Sequence, residues 1–547
     1  MRGNFDRSGR LIRFMLRRER IISAIWIVIL VLFCAALAPA MDAMFAEPEA
    51  RQQFGESFDN PVMIAIMGPA YGADSNNYTT GAMYSNTMLI WVIMAVAVMN
   101  IFIVIRHTRA DEEGGRTEVI RALPTGRLAG INAAMITAAI VDILLAVLTG
   151  VALAATGVPG MGLGASMLYG FAVGAGGLVF AGIAAVFSQL SSSKGGATGL
   201  SFLMLGIFYM IRAAGDMQGS DALACISPLG LAQRSQIYVA NNIWPVVVLL
   251  AEAVILAIIA YALNSVRDMD QGFIPARPGR TEASKRLGSP FGLSSRLLRN
   301  MLVTWIIVMF ALAASYGSVI ADIPSFVGDS PEYLQVIGIP EEVVNSMTDA
   351  GKAQIIIDYF GVFVISMMTL ICFIPVINST LRIRAEERDG RIGQIYALPV
   401  SRAKYLTGYV ILAYAASVLL QLATAIGLYC VTSMLESNPF TIGGLVGSFF
   451  AYLPAIWVII GLAVLIVGAF PRATGAVWGF YAFVFLVSFL GGMPDLMPAS
   501  LRNISPVTHI PRLPLDDMTF APLIILTVIA IALTAAGFTF YKKRDTL

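Results

Sequence analysis

The sequence predicts an all-α polytopic membrane protein made of two parallel six-helix repeats, and three observations predict it. The first is composition: 57% of the 547 residues are hydrophobic and only 13% are charged, with a mean hydropathy of +0.77. Soluble chains carry about a quarter charged residues. The second is that the apolar residues fall in long runs. Runs of about 20 apolar residues cross a bilayer as helices. Lipid offers no partner to a free backbone group, so a spanning segment is a helix or part of a closed barrel. The alternating strands of about 10 residues that build barrels are not seen. The third is that the chain repeats itself. "RADEEGGRTEVIRALPTGR" at 109–127 aligns without a gap on "RAEERDGRIGQIYALPVSR" at 384–402, with ten of nineteen positions identical.

Twelve spans are expected, at 21–40, 86–105, 128–153, 164–188, 196–212, 243–264, 300–320, 357–380, 405–431, 443–469, 473–491 and 519–541. The first follows a basic segment carrying Arg2, Arg7, Arg10, Arg13, Arg17, Arg18 and Arg20. It ends in "ALAPA", like a signal-peptide cleavage site. Its long leader and near-full bilayer length predict a retained span instead. The loop 41–85 is acidic, with Asp42, Glu47, Glu49, Glu56, Asp59 and Asp74 against Arg51. The loop after the second span is rich in arginine (Arg106, Arg109, Arg116, Arg121, Arg127), as are the segment 265–299 and the end at Lys542, Lys543 and Arg544. Positive loops mark the cytoplasmic side, so both termini and both copies of the repeated segment are expected there.

The repeat runs through the whole chain. "RLIRFML" at 10–16 precedes the first span and "RLLRNML" at 296–302 the seventh. "ATG" opens the fifth span of each half, at 197–199 and 473–475. "SPLGLAQR" from 227 faces "SPVTHIPR" from 505, and Arg267-Asp268 and Arg544-Asp545 close the sixth spans. The expected organisation is a half at 1–266, a Pro, Gly and Arg-rich linker at 267–293 and a half at 294–547. An even number of spans gives the halves the same orientation. The segments 212–243 and 491–520 are polar and Pro-rich, and fit compact external lids.

In each copy of the repeated segment, charged residues mingle with a small apolar edge, which predicts a short helix. Pro124 disfavours helix at Leu123, and Pro399 does so at Leu398. Ser401 can cap the following span; Thr125 or Gly126 takes that place in the first copy. Positive-inside arginines alone explain the bases. They do not explain a Glu and a Gly-Arg pair at matched spacing in both halves.

E-x-x-G-R-x-x-x-I-x-A-L-P-[VT]-[SG]-R after the second of six spans resembles the permeases of type-2 ABC exporters. The fused twelve-span form is similar to the polyketide-antibiotic (tetronasin-type) export permeases. The resemblance implies that Arg109, Glu112, Gly115, Arg116, Leu123, Pro124 and Arg127 form one contact with an ATPase subunit. Arg384, Glu387, Gly390, Arg391, Leu398, Pro399 and Arg402 form the other. It also implies that 7–20 is an interfacial helix lying along the cytoplasmic surface of a bacterial membrane, with a shorter counterpart at 294–299. No G-x-x-x-x-G-K-[ST] occurs, and "SSSKGGATG" at 191–199 has another order. That loop cradles nucleotide phosphates, so the chain is expected to be no enzyme and to bind no cofactor. ATP and Mg would be held by two partner ABC ATPase subunits. The other expected partners are the lipid bilayer and a hydrophobic or amphipathic cargo, with no nucleic acid.

Within the spans, Asp142 and Glu252 stand out, since ionisable groups in lipid are costly and mark function by default. Each reads as a cargo or cation contact or as an acid that ties helices together. Their counterparts are Ser417 and Ile529. Asn100 and Asn378 read as bonds between helices, and Gly170, Gly174, Gly177 and Gly182 as close helix packing. An ion-coupled secondary transporter using Asp142 and Glu252 is the alternative. An intramembrane enzyme would need a reactive cluster that His107 and His509 do not supply. The cysteines Cys34, Cys225, Cys372 and Cys430 form no C-x-x-C, so no zinc site or disulfide framework is expected.

Overall fold

A computed structural model describes residues 3–544, apart from 57, 59–60, 73–77, 269–270, 275–280, 321–338, 340–348, 436–437 and 490–498. The described residues are helices joined by turns, with one isolated bridge between Ser191 and Ile274. The chain divides into two compact units, Met1–Gly279 and Arg280–Leu547.

Unit 1 begins with α1 (Ser8–Met44), α2 (Pro48–Glu56), α3 (Pro61–Met67), α4 (Thr80–His107), α5 (Arg109–Glu113) and α6 (Arg116–Ala122). It continues with α7 (Ala129–Ala155), α8 (Leu163–Leu190), α9 (Lys194–Met217), α10 (Asp221–Ala224), α11 (Pro228–Gln233) and α12 (Trp244–Val266). Unit 2 holds α13 (Pro290–Val319), α14 (Asp349–Arg388), α15 (Ile392–Tyr396), α16 (Arg402–Thr432), α17 (Ile442–Ala451) and α18 (Leu453–Ala469). It ends with α19 (Gly475–Phe489), α20 (Ala499–Arg502) and α21 (Phe520–Lys543). Taking α17 and α18 together, 11 helices are long and apolar enough to cross a membrane, and Gly475–Ser488 is a shorter apolar helix. The protein is therefore an all-α polytopic membrane protein of about twelve spans.

In unit 1, α8 is the central post, packed against α4, α7 and α12. Glycine permits this approach. A Cβ on Gly170 would stand 2.0 Å from the Ala146 carbonyl oxygen of α7, and one on Gly182 2.7 Å from Leu256 Cβ of α12. Small residues that let backbones meet are the usual adhesive of membrane helices, where no hydrophobic force separates protein from lipid. Unit 2 solves the same problem elsewhere. There α18 lies along α21, and a Cβ on Gly468 would reach 2.3 Å from the Gly537 carbonyl.

Four expectations are corrected. The stretch 7–20 is not a separate surface helix, because α1 runs unbroken from Ser8 to Met44. No Pro or Gly interrupts residues 10–38, and Glu19, which is buried, is paired with Arg106 and His107 at 2.9 Å each. Likewise 294–299 is the first part of α13. The tenth span is broken at Tyr452, where Pro454 starts α18; its ring cannot continue a preceding helix. Asn378 is exposed on unit 2 rather than bonded to another helix, since the turn that buries Ile377 and Ser379 turns it outward.

Candidate functional site: a duplicated charge clamp

The repeated segment breaks ahead of its prolines as expected, but the helix before each proline is itself split at a glycine. In the first copy α5 and α6 are hinged at Gly115, whose φ of 67° is left-handed, a conformation that costs L-residues with a Cβ. Gly390 takes φ 72° at the matching position. Leu123 ends α6 in extended backbone (φ −83°, ψ 159°) ahead of Pro124. Ser401 caps α16, accepting a hydrogen bond from the Lys404 N–H at 3.3 Å. The first copy departs from expectation, because Thr125 donates its hydroxyl to the Ile120 carbonyl. Gly126 donates its N–H to the Asp6 carbonyl. Neither caps α7, which starts behind Leu128 without a side-chain cap.

The side chains of Glu112 and Glu387 face inward, while Glu113, Arg116, Glu118, Arg388, Asp389 and Arg391 of the same segments are exposed. Glu112 accepts from Arg109 Nη1 at 2.8 Å and from Arg267 Nη2 at 2.8 and 2.9 Å. Arg109 also donates to the Ser192 carbonyl at 2.6 Å, and Arg127 to the Arg267 carbonyl at 3.0 Å. Glu112 thus joins the end of the second span to the end of the sixth, and Arg109 brings in the turn between the fourth and fifth. The arrangement recurs in unit 2. Glu387 accepts from Arg384 Nη1 at 3.2 Å and pairs with Arg544. Arg384 donates to the Pro471 carbonyl at 3.0 Å, and Arg402 to the Arg544 carbonyl. A second pair also repeats: Arg116 on Asp111 at 2.7 Å and Arg391 on Glu386 at 2.9 Å. The hydrogen bonds that Arg391 donates to Glu386 hold its guanidinium above its ordinary basicity.

The copies differ in what surrounds them. In unit 1, Arg18 of α1 donates to Asp111 at 2.8 and 2.9 Å, and Glu19 holds Arg106 and His107. In unit 2 the tyrosine pair Tyr396–Tyr541 (3.0 Å) supports Glu387, to which Tyr541 donates at 3.0 Å. Apolar side chains are exposed at the tip beside charged ones such as Glu118. Val119 is 70% exposed, Leu123 56% and Leu398 60%. Arg267 and Arg544 were legible only as the matched ends of the sixth spans; their pairing with the motif glutamates was not.

Inside unit 1, Asn100 of α4 donates its Nδ2 to both carboxylate oxygens of Asp142 on α7 at 2.9 Å, with both side chains buried. Gly177 of α8 passes beside the pair; a Cβ there would be 2.8 Å from Asn100 Nδ2. Glu252 is half-buried on α12 and is not brought to Asp142. Ser417 accepts from Trp457 Nε1 at 3.1 Å, so the second unit fills the matching place with a neutral pair.

The family described as multidrug efflux system permease Rv1217c, C-terminal domain, matches residues 11–263 and 287–542. The chain belongs to this family. The two matched stretches cover both helical units of the permease and leave out the segment between them. It is also 31% identical, over 98% of its length and 94% of the relative's, to the multidrug efflux system permease protein Rv1217c of Mycobacterium tuberculosis (strain ATCC 25618 / H37Rv). A multi-pass membrane permease of an efflux system accounts for the apolar helices.

Proposed function

We propose that this permease is the membrane subunit of an ATP-driven type-2 ABC exporter, in the fused twelve-span form similar to polyketide-antibiotic (tetronasin-type) permeases. Two ABC ATPase subunits, which hold the ATP and Mg, dock on it, one at each clamped segment; the chain itself catalyses no reaction. It lies in the bacterial cytoplasmic membrane with both termini and both segments inside. Its cargo is a hydrophobic or amphipathic drug-like molecule. The observation that carries the reading is the duplicated clamp. Arg109–Glu112–Arg267 and Arg384–Glu387–Arg544 each tie the end of the second span of a half to the end of its sixth, just ahead of a short helix whose apolar tip, Leu123 or Leu398, is exposed. A part that receives force has to be rigid behind its contact surface. Closure of the ATPase pair around ATP would push on both tips and drive the attached spans.

Glu112 and Glu387 are structural supports of the docking segment, and Leu123 and Leu398 its contact surface. The test follows from that division. Wild-type permease should co-purify with the ABC ATPase encoded beside it, and Leu123→Glu/Leu398→Glu should release the ATPase while the permease stays monodisperse. Failure of the wild-type pair to associate would sink the ABC reading.

A further inference from the structure

Unit 1 contains a cavity of about 680 Å³ between α7, α8 and α12, within the range of sites for drug-sized molecules. Its walls are apolar: Ala146, Leu168, Phe171, Ala175, Val246 and Leu250 are typical. Ile143, Phe171, Val247 and Leu250 remain exposed within the unit, so one side is open. It occupies the part of the bundle away from the clamp, running from the start of α8 at Gly164 down to Asp142 and Leu178. Two polar side chains line it, Asn241 and Asp142. Asn241 satisfies its own turn, its Oδ1 accepting from the Tyr238 N–H. Asp142 is different. Among the described residues Asn100 is the side chain that donates to its carboxylate, and Asn100 Oδ1, fully buried beside it, has no hydrogen-bond partner.

That is a site rich in acceptors and short of donors. A carboxylate offers about four acceptor positions and an amide oxygen two, and a single NH2 group supplies the pair. Unmet acceptors in an apolar setting are costly. The group that would complete them is a compact cation with several N–H donors on an apolar body. From this geometry we infer that the cavity of unit 1 binds cationic amphiphiles, with a protonated amine at Asp142, behind which Asn100 stands, and the hydrocarbon along α8 and α12. The inference rests on the efflux reading for its purpose, and it names the cargo class. It also assigns that class to one half, because Ser417 replaces the acid in the other.

The test is equilibrium binding of radiolabelled dodecylamine to the full-length permease in nanodiscs of neutral lipid, without ATPase or nucleotide. Binding is expected to be saturable, and Asp142→Asn to weaken it about 30-fold or more, the low end of what removing one partner of a desolvated charge pair does. Dodecanol should compete poorly. Gly164→Trp, which keeps the acid and places an indole in the mouth where a Cβ meets nothing within 4 Å, should also abolish binding. It decides the matter if Asp142→Asn does not fold. Absence of saturable binding to wild type, retention of binding in either variant, or equal competition by dodecanol, which would mean a lipid-tail groove, overturns the inference. Binding that stands while no ATPase associates would leave the site intact and remove only the ABC reading.

Discussion

Removing the Glu112 carboxylate while keeping its shape, Glu112→Gln, should destabilise the permease far more than its place in a charged loop suggests. Three buried side chains meet there: Arg109 at 1% exposure, Arg267 at 7% and Glu112 at 8%. The glutamine leaves two guanidinium groups facing each other without the carboxylate between them. Breaking a buried pair in this way costs about 3–5 kcal/mol. The backbone carbonyls of Ser192 and Gln271, which the arginines also reach, should hold the value near the lower figure. The internal control is Arg116→Gln in the same segment. Arg116 is 54% exposed, and its partner Asp111 keeps the Arg18 bond. An exposed pair contributes about 0.2–1 kcal/mol. The two variants should separate clearly in thermal denaturation in detergent and in resistance to SDS unfolding. Equal midpoints for Glu112→Gln and Arg116→Gln would refute the view that the motif acid is a structural support rather than a surface contact.

Three other outcomes follow from the same geometry. Gly115→Ala/Gly390→Ala adds no clash, since nothing lies within 4 Å of either Cβ. Its left-handed backbone should still cost about 1–2 kcal/mol per site, read as a lowered midpoint and weaker co-purification with the ATPase. Gly170→Ala should cost about 1–3 kcal/mol by overpacking, because its methyl would sit against the Ala146 carbonyl; an unchanged thermal midpoint would mean that α7 and α8 are not so close. Arg212 is fully buried at the end of α9, donating to the Ala65 carbonyl at 2.6 Å and lying 4.7 Å from the Tyr209 ring. Arg212→Lys keeps the charge but not the planar fork. It should detach α3 and speed proteolysis at residues 61–72.

The spans were legible because their signal is local. Hydropathy located the spans, although α1, α13 and α14 extend well beyond their apolar cores, and the Pro124 and Pro399 breaks followed from the restriction proline places on its neighbour. The packing glycines of α8 were legible for the same reason: a glycine stripe in an apolar run has few other uses. What stayed hidden were relations between distant residues. Glu112 looked like a surface contact because its partner Arg267 is 155 positions away. The matched Arg-Asp pairs ending both sixth spans held that information, but only as a coincidence of position. Arg212 was hidden more deeply, as an arginine at a span end reads as an interfacial anchor. The continuity of α1 was obscured by its composition, which changes from basic to apolar near residue 20 while the backbone does not change at all.

The ties that Arg18 and Glu19 make between α1 and the first clamp have a mechanical consequence. Aligned through the shared sequences at 10–16 and 296–302, their counterparts are Thr304 and Trp305, which cannot form those ion pairs. The first elbow is therefore braced by a helix of 37 residues, about 55 Å at 1.5 Å per residue, whereas the corresponding helix of the second lacks that brace. A load on the first would have to carry a full-length rod with it, whereas a load on the second would not meet that helix through ion pairs. Two halves built on one sequence pattern are thus braced differently, the first through α1 and the second through the Tyr396–Tyr541 pair.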